Sequence, residues 1–138
     1  EGALGGHSIR DVNSIYGKVG RTENCANCAI ATDFSLAGHP TVALTGELTT
    51  ASDLAAFYGK SSINWIQRSG PEAIAKTMQN WGVNSRAILF GWRSETIPGH
   101  FTNVVNHRGT IKFLDGQSGK ATNLNDGYQR WFILRTDK

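Results

Sequence analysis

Two cysteines, Cys25 and Cys28, stand one helical turn apart at the head of an apolar run, and His100 and Asp115 lie far along the chain. A thiol, an imidazole and a carboxylate together can attack a carbonyl. The thiolate adds to carbon, the imidazole takes and returns a proton, and the carboxylate fixes the imidazole's tautomer and orientation. Such chemistry requires that the elements carrying these residues meet.

The run Cys25 to Ala37 is apolar nearly all round, broken only by Asn27, Thr32, Asp33 and Ser35, and Gly38-His39-Pro40 supplies a stop. That pattern predicts a buried helix. Asn24 is a good N-cap, so both cysteines fall in the first turn, where unpaired backbone N–H groups favour a thiolate. The backbone N–H of Cys25 is a candidate oxyanion donor, and Asn24 is a second one.

His100 to His107 and Thr110 to Leu114 read as two strands around a tight Arg108-Gly109 turn. A turn centred there pairs Val104 with Phe113, Asn106 with Ile111, Thr102 with Asp115 and His100 with Gln117. All eight then share one hairpin face, with Asp115 in reach of His100. The cysteine helix is expected to pack on that same face.

The remaining elements follow in order. Residues 1–23 read as an irregular surface arm, and residues 24–138 as the core of a single domain. Val42-Ala43-Leu44 is a short apolar stretch, and Asp53 to Tyr58 is one or two helical turns closed by Gly59. Ser69 and Glu72 match a capping box ahead of an amphipathic helix bearing Ala73, Ile74, Thr77, Met78 and Trp81. Beyond Asn84 the period becomes two, with strands at Ala87–Trp92 and Tyr128–Arg135 besides the hairpin. Helices first and an antiparallel sheet second make the class α+β.

Composition narrows the function. With 39% hydrophobic and 18% charged residues the chain is globular rather than disordered. The net charge of +3 is small and its Lys and Arg are scattered, so nothing in the sequence argues for nucleic acid and none is expected as a partner. No apolar run approaches the roughly 20 residues of a membrane span. The chain begins Glu1-Gly2-Ala3 without methionine or signal peptide, and is read as a piece of a longer protein whose address is carried elsewhere.

Plainer readings compete for each residue. Cys28 is an alternative nucleophile or a core side chain, and the pair reads as a redox couple in a different class of protein, a thiol-redox or metal-binding interaction module. His7, His39, His100 and His107 lack the spacing of a zinc finger, so neither metal nor cofactor is expected. Asp115-Gly116 is also ordinary turn chemistry. Gln117 is a candidate for positioning His100 or a substrate amide. Trp65, Trp81, Trp92 and Trp131 read as core or rim aromatics, with one or two at a cleft mouth.

The blocks Asn24-Cys25-x-x-Cys28-Ala29, Asp33, Leu36-Ala37-Gly38-His39-Pro40, His100-Phe101-x-Asn103-Val104-Val105-Asn106 and Phe113-Leu114-Asp115-Gly116-Gln117-Ser118-Gly119 occur in an order that resembles the papain-fold toxin family. These are C-terminal modules of bacterial polymorphic toxins, described as glutamine deamidases. The resemblance implies a papain-like fold, with Cys25 as nucleophile, His100 as general base and Asp115 as its orienter. It implies a protein substrate in a target cell, delivery as part of a larger secreted protein, action in the target cytoplasm and a cognate immunity protein, without membrane insertion by this domain. A papain-like protease or a transglutaminase would use the same constellation with a different acceptor.

Overall fold

The computed structural model describes residues 25–39, 50–97, 99–115, 120–122, 124–125 and 127–138. In chain order these form helix α1 (Cys25–Leu36), helix α2 (Ala51–Phe57), a 3-10 turn (Ser62–Asn64), β1 (Ile66–Arg68), α3 (Pro71–Trp81), β2 (Arg86–Trp92), β3 (His100–His107), β4 (Thr110–Asp115), β5 (Lys120–Ala121) and β6 (Arg130–Arg135). The expected arm at 1–23, the Asn24 cap, the apolar stretch at 42–44 and Gln117 lie outside the described residues.

Glycine stops α1 where the sequence places a stop. Gly38 has φ +95°, a conformation that a side chain resists, and two reversed hydrogen bonds close the last turn. Gly38 N–H donates to Ser35 O at 3.1 Å and His39 N–H to Phe34 O at 2.9 Å. Helix α2 begins two residues before Asp53, because Thr50 caps it by accepting from Asp53 N–H at 3.1 Å.

The capping box expected at Ser69 and Glu72 does not form. Pro71 occupies the first helical position of α3, which makes Gly70 the N-cap and leaves Ser69 one residue too early. No side chain caps that end.

Among the described residues six strands, all antiparallel to their neighbours, lie in the order β1-β6-β2-β3-β4-β5. Arg108 and Gly109 both have positive φ, 56° and 92°, the geometry that matches strand twist in a two-residue turn. The register is the expected one, with Val104 opposite Phe113 and Asn106 opposite Ile111. Strands β1 and β5 carry no alternation long enough to read from sequence. Strand β6 starts at Arg130 rather than Tyr128.

Helices cover both faces of the sheet. On one, Ala26 and Ala29 of α1 with Leu54 and Ala55 of α2 pack on Ile88, Phe101 and Leu134. On the other, Ile74 and Met78 of α3 pack on Ala87, Leu89, Val104, Trp131 and Ile133. This is an α+β arrangement in which a buried helix opening on a cysteine packs on an antiparallel sheet.

Polar side chains pin α1 to the sheet. Asn103, fully buried, donates from Nδ2 to Ala29 O at 2.9 Å. Asp33, 1% exposed, accepts from Tyr58 Oη at 2.9 Å, from Arg86 Nε at 3.2 Å and from the Thr136 hydroxyl. Burial, then the charge and hydrogen bond of Asp33, push the Tyr58 pKa up, while Arg86 offsets part of this; the phenol therefore stays a donor. Truncating Asp33 strands Arg86 and two hydroxyls. Asp33→Ala should lower stability by about 3 kcal/mol, read as a fall in denaturation midpoint at unchanged m.

At the chain's far end Asp137 accepts from Arg135 Nε at 3.0 Å and from Arg86 backbone N–H at 3.0 Å. Partial burial opposes its charge, but these bonds win and hold the carboxyl below its ordinary value of 3.8. A depressed carboxylate contributes stability that is complete above its unfolded pKa and is lost as pH falls through the lower folded one. Asp137→Asn should therefore be less stable than the parent at neutral pH. The two proteins should converge on acidification below about pH 4, which thermal melts across pH will check.

Candidate active site

His100 is the first residue of β3 and Asp115 the last of β4, so both stand at one end of adjacent strands. His100 Nε2 lies 3.1 Å from Asp115 Oδ2, and each side chain is 15% exposed. The diagonal contact expected from the hairpin register is present. An imidazole so held is fixed in orientation yet keeps an edge toward solvent.

The approach to His100 is shaped by two glycines. A Cβ on Gly99 would come within 2.6 Å of Gly91 O and 2.7 Å of the Phe90 ring. Gly91 is the β2 partner of His100 and also the partner of Trp131 on β6. A Cβ there would meet the Tyr128 ring at 2.4 Å, so Tyr128 packs directly over Gly91, in the same row as His100. Its ring also packs on Trp131, with centroids 4.7 Å apart. Arg93 covers Tyr128 at 4.5 Å and donates to its hydroxyl at 3.1 Å. A neighbouring cavity of about 700 Å³ is lined by Arg93, Ser94, Ile97, Asn125, Gly127 and Gln129.

Neither Tyr128 nor Arg93 was visible as part of a site from sequence. Tyr128 reads as the start of a strand, and only the missing side chain at Gly91, three intervening strands earlier in the chain, reveals where its ring goes. Trp92 lies under the Arg130 guanidinium at 4.9 Å, a rim position of the kind expected for some of the tryptophans, while Trp131 is buried in the core.

The placement of α1 follows from its two fastenings. Ala29 is level with Asn103, and Asp33 is level with Arg86, the partner of Val105. Four helical residues advance about 6 Å, as do two strand residues. Stepping back four residues from Ala29 therefore sets Cys25 level with Phe101, next to His100 along the strand. The first turn of α1 and the His100–Asp115 pair share one end of the sheet.

They do not share a face, contrary to the sequence expectation. Strand alternation turns Phe101, Asn103 and Val105 toward α1, and His100, Thr102 and Val104 toward the α3 side. The expected pairing was right. The helix chose the other face because Phe101 and Asn103, rather than Val104 and Phe113, receive its small residues Ala26 and Ala29.

The helix begins at Cys25, whose thiol lies outside the described atoms. Cys28, the alternative nucleophile, is 1% exposed and packs with Ala31. A thiol so enclosed behaves as a small apolar side chain. Among the described residues no three His, Cys, Asp or Glu side chains group as a metal site, and no helix is long and apolar enough to cross a membrane.

A sheet with a buried helix whose first turn carries cysteine, and a His–Asp pair on adjacent strands at the same end, has the architecture of papain-like proteins. The family model described as papain fold toxin 1, glutamine deamidase, matches residues 23–120, and the chain belongs to that family. A search of curated proteins finds no match.

The close seat of Tyr128 on Gly91 is open to a direct test. Gly91→Ala should cost about 1–3 kcal/mol through overpacking. In a Tyr128→Ala background the same substitution should cost clearly less, which a double-mutant cycle of unfolding free energies measures.

Proposed function

We propose that this toxin domain hydrolyses the side-chain amide of a glutamine in a target-cell protein, with Cys25 as nucleophile, His100 as general base and acid, and Asp115 as the group that orients His100. The observation that carries the reading is the 3.1 Å contact of His100 Nε2 with Asp115 Oδ2 at the end of the sheet where α1 begins. Membership of a glutamine deamidase family supplies the substrate group.

With Nε2 engaged by the carboxylate, Nδ1 is the nitrogen that exchanges a proton with the thiol. The exchange takes place across the end of the sheet, since the helix and His100 belong to opposite faces. Cys25 Sγ, deprotonated, adds to the amide carbon of the glutamine. The tetrahedral oxyanion is met by the Cys25 backbone N–H at the helix start, with Asn24 and Gln117 as further candidates for holding it or the amide. Collapse breaks the C–N bond, and the imidazolium proton leaves with the nitrogen as ammonia. His100 then takes a proton from water, hydroxide attacks the thioester, and glutamate departs with the thiolate restored.

Water as the acceptor distinguishes this from its relatives in chemistry. An amine in place of water would cross-link, and attack on a main-chain amide would cleave. A thiolate mechanism requires a reducing setting, which suits the cytosol of a target cell reached as part of a larger delivered protein. A producing cell needs protection from such an activity, and an inhibitor that covers the His100 end of the sheet would give it.

The experiment is expression of the domain inside bacterial cells, with folding verified for each variant and host proteins examined by mass spectrometry. Cys25→Ala and His100→Ala should reduce amide conversion on the order of a thousandfold or more, and Asp115→Ala by less. Folded Cys28→Ala should remain active. Conversion of glutamine to glutamate without chain cleavage or amine incorporation supports deamidation. A folded Cys25→Ala as toxic as the parent would end the nucleophile assignment, and a Cys28→Ala as crippled as Cys25→Ala would favour a redox or metal module instead.

A further inference from the structure

The hydroxyl of Thr102 is buried and makes no hydrogen bond, although Thr102 is only 2% exposed. Leaving such a group unpaired costs about 1–3 kcal/mol. Valine would fill the same space without that cost. Thr102 follows His100 by two residues on β3 and so shares its face. One step beyond the pair Asn103 and Leu114 in the β3–β4 register, Thr102 stands opposite Asp115.

Directly opposed side chains have Cβ atoms about 4.5–5.5 Å apart. A threonine hydroxyl and a carboxylate close that gap with a change of χ1 between staggered wells. Rotation about the terminal torsion of aspartate is soft, so each hydrogen bond to the carboxylate narrows the plane in which it faces His100.

We propose that Thr102 is a positioning residue whose hydroxyl donates to Asp115 Oδ1 while Oδ2 holds His100 Nε2. It keeps the carboxylate aimed at the imidazole as the ring gains and loses its proton. The inference rests on the assignment of His100 and Asp115 to the reacting site. Thr32, on α1, offers a comparison, because its hydroxyl is likewise buried and unpaired but belongs to the opposite side of the sheet.

The test reads the neutral imidazole directly, through the 15N shifts of His100 in the full chain, and needs no substrate. The parent should hold its proton on Nε2, the nitrogen facing Asp115. Thr102→Val and Thr102→Ala should both mix in the Nδ1–H tautomer, Thr102→Ser should restore the parent state, and Thr32→Val should leave it unchanged. Ammonia release from a blocked glutaminyl-glycine dipeptide should show a kcat lowered about tenfold in Thr102→Val with KM within about twofold. A parental tautomer in folded Thr102→Val, or a Thr102→Ser that restores nothing, overturns the proposal. A tautomer shift in a protein whose parent releases no ammonia would uphold the Thr102 contact while removing the deamidase reading.

Discussion

The seam between α1 and β3 is the constraint on which the candidate site depends. Small residues, Ala26 and Ala29, let the helix lie close on Phe101, and that closeness would permit sliding along the strand. Two polar fastenings stop it. Asn103 catches a carbonyl in the middle of the helix, and Asp33 gathers Arg86, Tyr58 and Thr136 near its end. Apolar contact supplies the attraction without direction; these hydrogen bonds supply the axial register. A shift by one helical turn would carry Cys25 about 5.4 Å along the sheet, away from the level of His100.

The same end of the sheet is built by close approach on both faces. Gly99 has no side chain where Gly91 O and the Phe90 ring of the α1 side come within a Cβ's reach, and Gly91 has none where the Tyr128 ring of the other side does. That allows Tyr128 to lie on the sheet beside His100, with Arg93 over it. The His100–Asp115 pair is therefore partly enclosed on its own face while remaining 15% exposed. Enclosure of this degree strengthens the imidazole–carboxylate interaction, which water would otherwise screen. It also leaves an edge of the pair open to solvent.

Deamidation asks little of such a site beyond a fixed base, a nucleophile at a helix start and access for water. The family match and the His100–Asp115 contact bear on different parts of the reading. The match concerns the class of toxin and its glutamine substrate, and the contact concerns how an imidazole is held. Burial of Cys28 adds a third point, since that thiol is enclosed by packing.

Local signals were legible wherever chain geometry is decided within a few residues. The α1 stop at Gly38 and the hairpin register around Arg108-Gly109 both follow from which residues tolerate positive φ, and alternation then brings Asp115 to His100. Local reading failed at Ser69, where a proline two residues on shifts the helix start and removes the capping box. The short strands β1 and β5 hold too few residues for a period to show. What the sequence by itself determined was the set of elements, the α+β class and the pairing of the two strands that carry histidine and aspartate. Which face of the sheet the cysteine helix covers was decided only by tertiary packing. Alternation makes both faces of β3 apolar, with Phe101 and Val105 on one and Val104 on the other. Only the fit of Ala26 and Ala29 and the long-range bonds of Asn103 and Asp33 choose between them.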